Sequence, residues 1–431
     1  MMIVAADHGV RRTRRYGPEE PMVAESTTWR GMCVQSTTAD GAENAFADDA
    51  DLLAHLPGLS PDAVDAARSV LAPQAAPLTH ADDAPPDGWA APLARRHRVR
   101  LVCADYRQRV AVGSMTRLTL DLRAASTIEV IALDDQASAQ VVQWLPGDPE
   151  GSAERVEDAA EAVRRLAGLP VADLPATRCD VVLDAGQAGP LFHELIGHPL
   201  EADVVRAGTS YLARRGAEHV APSWLVVSDG PAPAGEGLTA GVDDEGTPIT
   251  PTTLIEGGRV AGHLHDRLTA AGRPRCSAGP DAGVPDRPGG AGTGHGRRLD
   301  YRHPVVPRMW HTRAEIVGAD PEEPDGAVRL HVRGLQLGWM NLLTGDVEFR
   351  CATGLLDAGG GPVGRTGPFT FSGNALTLLG ALRPGPGAVR GGGRASRGCG
   401  KLGQYPLVTT FANGGLWLPG GVVDVRGDRG R

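Results

Sequence analysis

The sequence holds a single lysine. Lys401 stands alone among 43 basic residues, and the other 42 are arginine. Positive charge is also not in excess: the formal net charge is −9 and the pI is about 5.8. That balance argues against a nucleic-acid partner, which needs a basic face to meet phosphates. Apolar runs are short. None approaches the ~18 residues of a membrane-spanning helix, so no membrane span is expected. The N-terminal stretch MMIVAADHGVRRTRR lacks the charge-then-apolar order of a signal peptide, which makes a cytoplasmic location the expectation. No CxxC pair occurs. The six cysteines (Cys33, Cys103, Cys179, Cys276, Cys351 and Cys399) are widely spaced, which predicts reduced thiols, any functional one acting singly. Aromatics are scarce at 4%.

What the chain has in plenty is glycine (58) and proline (34), gathered in a few stretches. Its 431 residues favour two domains. We expect an N-terminal α/β layered domain over 1–170, shortened relative to a full one, and a second domain over 171–431. In the first, PDAVDAARSVL (61–71) is the one helix expected before residue 72, and 72–94 reads as a connector. Runs at 99–104, 108–114 and 117–134 alternate like antiparallel strands, the last broken near Ala124–Ser126. ERVEDAAEAVRRLAGL (154–169) is the clearest helix, with Val156, Ala160, Val163 and Leu166 on one stripe.

In the second part CDVVLD (179–184) reads as a buried strand, followed by a helix from about Leu191. WLVVSD (224–229) is a strand, and 252–266 a hairpin turning on Gly257–Gly258. Further strands are expected at 306–317, at 327–334 and on both sides of Thr344-Gly345-Asp346. The stretches 273–298 and 383–398 fit no regular element. The fold class is therefore α+β, with a mainly antiparallel C-terminal domain that carries the histidine-bearing helix.

That helix reads LFHELIGHPL (191–200). His193 and His198 are zinc-ligand types, and Glu194 is the type of residue that acts as general base on a zinc-bound water. Five positions on a regular α-helix leave two side chains ~140° apart. A local π-type turn would bring them together, and such distortions occur at functional sites. Gly197 tolerates unusual dihedrals, and Pro199 lacks the N–H that would bond back to the Leu195 carbonyl. Two histidines that merely fall close in sequence remain the alternative.

The surroundings carry more. DVVLDAGQAGPLFHELIGHPLEAD, DDEGTP (243–248), TTLIEGGRVAGHLHDRLTA (252–270), GRRLDYRHPVVPRM (296–309) and GCGKLGQYP (398–406) stand in an order that resembles the TldD/PmbA family of metallopeptidases. The resemblance implies a third ligand, Cys399 in the CGK segment, completing a His193/His198/Cys399 site for Zn2+. It implies hydrolysis of unfolded or modified small peptides, and a PmbA/TldE-like partner subunit, with a homodimer as the alternative. Lys401, beside that cysteine, is expected to stabilise the thiolate or touch substrate. Glu201 and Asp203 are candidates to orient a ligand histidine through its second nitrogen. Asp243, Asp244 and Glu245 read as turn-stabilising carboxylates, His263 and His265 as lining or surface residues, and Arg297 and Arg298 as candidates to grip a peptide carboxylate. Two rival functions stay open: a catalytically silent peptide-binding or partner subunit, and a metal-dependent amidase or esterase acting on a small molecule.

Overall fold

The computed structural model describes residues 2–18, 23–38, 41–47, 59–71, 87–132, 139–143, 149–174, 179–271, 292–326, 328–392 and 398–427. Strands β1 (Met2–Tyr16), β2 (Val23–Thr38), β3 (Gly41–Ala47), β4 (Val99–Gly113), β5 (Leu118–Ala132) and β6 (Ala139–Gln143) form one antiparallel sheet, ordered β3-β2-β1-β4-β5-β6. Helices α1 (Pro61–Leu71), α2 (Asp87–His97) and α3 (Pro149–Ala167) accompany it. Residues of α2 and α3 pack on Leu101, Cys103, Ile128 and Val130, and residues of α1 on Val4, Ala6, Met32 and Ala111. These positions alternate along their strands, so all three helices cover one face. The other face is covered too. Trp29, Cys33, Ala104, Tyr106 and Ala125 pack against Leu238, Ile249, Tyr301, Trp310 and Val408 from the rest of the chain.

Burial on both faces explains several departures from expectation. A strand covered on both sides need not alternate apolar with polar residues, so Met2–Tyr16 and Val23–Thr38 carry no period-two signal that would mark them as strands. The runs 99–104 and 108–114 belong to one continuous strand, β4. The break expected near Ala124–Ser126 is absent: these residues pair with Arg107, Tyr106 and Asp105 of β4. The connector expected over 72–94 is helical from Asp87, despite Pro92 inside α2; its first part, 72–86, lies outside the described residues. The stripe of α3 is as expected, Val156, Ala160, Val163 and Leu166 all being buried.

From residue 179 onward sheets dominate. One runs Arg259–Val260, Thr252–Glu256, Leu225–Gly230, His311–Ile316, Thr410–Asn413, Arg390–Gly392. A second runs Pro362–Arg365, Thr353–Asp357, Arg329–Arg333, β7 (Asp180–Leu183), Leu416–Leu418, Arg383–Pro384. A third, of four strands, joins Gln336–Met340, Asp346–Cys351, Phe369–Asn374 and Asp424–Gly427. Pairing is antiparallel except where His311–Ile316 meets Thr410–Asn413 and where Arg329–Arg333 meets β7. The hairpin at Gly257–Gly258 forms as expected, both glycines having positive φ. Short strands at Gly296–Arg297, Arg383–Pro384 and Arg390–Gly392 lie in the stretches expected to have no regular element; 273–291 and 393–397 lie outside the described residues. Among the described residues no helix is long and apolar enough to cross a membrane.

The largest apolar core joins β7 to the histidine-bearing helix: Val181, Leu183, Leu191, Phe192, Leu195, Ile196 and Leu200 are buried with Leu254, Met309 and Leu330. A helix anchored this way through alternate turns is held rigidly beneath the loops that approach it.

Candidate metal centre

The helix begins two residues earlier than its apolar pattern suggests. Helix α4 (Gly189–Phe192) starts with Gly-Pro, proline suiting the first turn because its missing N–H would have had no partner there. Asn413 fixes the approach, accepting from the Ala188 N–H at 3.0 Å and donating to the Asp184 carbonyl. At His193 the helix widens into a π-helical turn, His193–Gly197, in which the His198 N–H donates to the His193 carbonyl five residues back. A tighter turn, His198–Leu200, ends it. The inserted residue removes the angular gap that an i, i+5 pair leaves on a regular helix: the two imidazole centroids are 4.8 Å apart, nearly perpendicular.

Gly197 serves this turn differently from the expectation. Its dihedrals are ordinary helical ones, φ −59 and ψ −63. The requirement is space: a Cβ there would lie 1.8 Å from the Met309 sulfur. The carbonyl of Leu195, which Pro199 leaves without an N–H partner, accepts a hydrogen bond from the Tyr211 hydroxyl. Tyr211→Phe should therefore strand that buried carbonyl and cost about 1–3 kcal/mol. Chemical denaturation checks this, and an unchanged midpoint would show that the carbonyl finds another donor.

Three donor atoms, one each from His193, His198 and Cys399, lie within 4.8 Å of one another. Cys399 comes from a separate hairpin, Cys399–Lys401 paired with Gln404–Leu407, and its sulfur is 3.0 Å from His198 Nε2 across 201 residues of chain. Neither ring nitrogen of the buried His193 has a hydrogen-bond partner of good geometry, the Cys399 sulfur being the group that faces it. An imidazole without partners in a buried place is costly unless something else takes its lone pair. Two imidazoles and a thiol also make a donor set suited to zinc. The residues fit a metal ion. Phe411 packs edge-on against the His193 ring at 5.0 Å between centroids and fixes its tilt.

The charges around this point are strongly coupled. Burial works against ionisation of Cys399, but His198 and His193 outweigh it and draw the thiol well below its ordinary value. Burial likewise opposes a charged His198, yet Cys399 and Glu201 together raise it well above the usual imidazole range. Glu201 is fully buried and faces His198 and Lys401, which overcome burial and hold its carboxyl down to about 2. An ionised carboxylate only accepts, so His198 Nδ1, 2.9 Å from Glu201 Oε2, is the donor. With Nδ1 committed to Glu201, Nε2 is the nitrogen that faces Cys399. Glu194, with its side chain 14% exposed, sits 3.9 Å from His198 Nε2. Burial raises its pKa, partly offset by His198 and His193.

Other expected residues take other places. Glu201 reaches His198 as a carboxylate orienting that ring should, whereas Asp203 reaches Lys401 instead. Lys401, largely buried, directs its ammonium to Glu201, Asp203 and the Pro307 carbonyl. Asp243 binds the backbone N–H groups of Glu245, Thr247 and Gly296, and Asp244 pairs with Arg123 at 2.6 Å, so this acidic group stabilises a turn as expected. Arg297 and Arg298 are buried and do not line an open site. Arg297 lies 3.8 Å over the Trp310 ring and donates to the Met309 and Val408 carbonyls, and the Arg298 backbone N–H goes to Asp244. His263 and His265 are half-buried neighbours, 6.2 Å between centroids. Tyr211, Met309 and Phe411 are residues that sequence reading does not single out, because their roles depend on contacts between distant segments.

A π-distorted helix carrying two histidines, met by a distant cysteine on a mainly antiparallel sheet fold, defines a domain with a candidate metal centre. Residues 176–385 match the family described as the PmbA/TldA metallopeptidase C-terminal domain. This part of the chain, residues 176–385, carries a domain of the TldD/PmbA family. It is 29% identical over 236 residues to the metalloprotease TldD homolog of Haemophilus influenzae, an alignment covering 51% of this chain and 46% of that protein. It is likewise 29% identical to a metalloprotease of Archaeoglobus fulgidus, covering 54% of this chain and 50% of that one. The chain thus spans about half or less of the length of the curated relatives it matches. TldE from Thermococcus kodakarensis shares the fold over 99% of this chain and 96% of its own, with a TM-score of 0.64 and 15% identity.

Proposed function

We propose that the chain is a zinc-dependent peptidase of TldD type, with His193, His198 and Cys399 as metal ligands and Glu194 as general base. The observation that carries this reading is the convergence of three donors from two distant segments within 4.8 Å, beside a carboxylate. A zinc ion held there supplies Lewis acidity toward a carbonyl oxygen and lowers the pKa of water. The Glu194 carboxylate accepts the proton of the attacking water and returns it to the leaving amine. Its enclosed position favours this role, because burial raises its proton affinity. Glu201 holds His198 in the tautomer that turns Nε2 into the site.

The substrate class we propose is an unfolded or modified small peptide, in line with the metalloprotease names of the relatives. A PmbA/TldE-like subunit, or a second copy of this chain, is the proposed partner. A reducing, cytoplasmic setting is part of the proposal: the described cysteines Cys33, Cys103, Cys179, Cys351 and Cys399 are buried and form no disulfide with one another. The test is a panel of unstructured peptides set beside small amides and esters, run with the chain alone and with such a partner subunit, before and after chelation. Peptide cleavage lost on chelation and restored by zinc is expected. Turnover of small amides or esters alone would replace the substrate class. No turnover of any substrate in either setting would favour the silent-subunit reading.

A further inference from the structure

The hairpin that delivers Cys399 has little to hold it by itself. Its strands, Cys399–Lys401 and Gln404–Leu407, form a two-stranded sheet of their own, and an isolated hairpin is marginal in water. Its tip adds no apolar anchor, since Leu402 and Tyr405 are 73% and 60% exposed. Leu407 is buried at its base; the rest of what fixes it is a set of polar contacts. On one side the Arg11 guanidinium donates to the Pro406 carbonyl, and Gln404 bonds the Leu299 N–H and the Pro304 carbonyl. On the side of the histidine-bearing helix there is Lys401.

We propose that Lys401 is a positioning residue whose ammonium, through Glu201, couples the placement of the Cys399 sulfur to that of the His198 ring. The inference rests on the reading of His193, His198 and Cys399 as metal ligands. Lys401 Nζ lies 2.9 Å from Glu201 Oε2, 2.7 Å from Asp203 Oδ1 and 3.1 Å from the Pro307 carbonyl. These three acceptors use all three donors of an ammonium. The same Glu201 Oε2 receives the Nδ1–H of His198 at 2.9 Å. One oxygen atom is thereby shared between the residue two positions from the thiol and the imidazole that faces the thiol. A shift of the hairpin pulls on Glu201, and a shift of Glu201 rotates His198.

The chain's arginine-rich composition sharpens the point. A guanidinium is a planar fork matched to a single carboxylate, whereas two carboxylates and a carbonyl here converge on a compact charge. Arg308, fully buried, stands 4.0 Å from the other Glu201 oxygen. It adds positive charge near Glu201 but makes no hydrogen bond with it. Lys401 is the cation that fixes the direction of the Glu201 carboxylate.

The test uses Co2+ as the probe, because cobalt reports the thiolate through a charge-transfer absorption independent of turnover. The parent should show this band, and Cys399→Ser should lack it. A parent without the band, or a Cys399→Ser chain that keeps it, overturns the ligand assignment and this inference with it. With the band assigned, Lys401→Met and Lys401→Arg should retain the parent's circular dichroism yet bind Co2+ roughly 10–100-fold more weakly, as expected when a group supporting a ligand is lost, with a weakened band. Parental affinity and band in Lys401→Met would overturn the inference alone. If that variant does not fold, Asp203→Ala, which removes one contact of the clamp and leaves Glu201 in place, should still weaken binding several-fold; parental affinity there would overturn it equally.

Discussion

Glu194→Gln should abolish peptide hydrolysis while leaving the metal in place. The amide keeps the size of the side chain and its place 3.9 Å from His198 Nε2, but it has no site for a proton at neutral pH. General-base assistance of this kind is worth about 10²–10⁴-fold in rate, and the loss should fall on kcat, since the residue acts on the reacting water and not on the resting peptide. Zinc content should match the parent because Glu194 is not among the three converging donors. Parallel kinetics and elemental analysis check both halves. A Glu194→Gln chain with parental kcat would remove the general-base role, and one that has lost its metal would make Glu194 a ligand.

Gly197→Ala should damage the centre from within its backbone. The added methyl would meet the Met309 sulfur at 1.8 Å, and Met309 is fully buried against the same core. Either Met309 leaves its place or the π-helical turn shifts, and that turn is what brings His193 and His198 together. Overpacking of this kind costs about 1–3 kcal/mol, and metal affinity should fall as well. Combining it with Met309→Ala gives a direct check. The double variant should be less destabilised than the sum of the two singles, by a coupling of about 0.5–3 kcal/mol. Strict additivity, or a Gly197→Ala chain with the parent's melting temperature and metal affinity, would show that the contact is not what keeps this position glycine.

How far the sequence reveals this arrangement differs from one region to another. The π-type turn was legible because the i, i+5 histidines and Pro199 together conflict with a regular helix. The reason for Gly197 was not, since Met309 is brought against it only by the fold. Helix Pro149–Ala167 shows its apolar stripe plainly because one of its faces meets the sheet. Strand Met2–Tyr16 hides itself: it sits between two neighbours, buries alternate residues on opposite faces, and carries four arginines among its last six residues. The pairing of Lys401 with Glu201 was invisible for a similar reason. Each residue stands out by itself, but 200 residues separate them in the chain and nothing local links them.

The most direct test of the account is the zinc content of the purified chain, measured beside Cys399→Ser. About one zinc per chain in the parent, and a large loss in the variant, is the predicted result, since a three-donor protein site depends on each of its ligands. A parent that takes up no metal when zinc is supplied, or a Cys399→Ser chain that binds it as tightly as the parent, would contradict the assignment of His193, His198 and Cys399 as one metal centre.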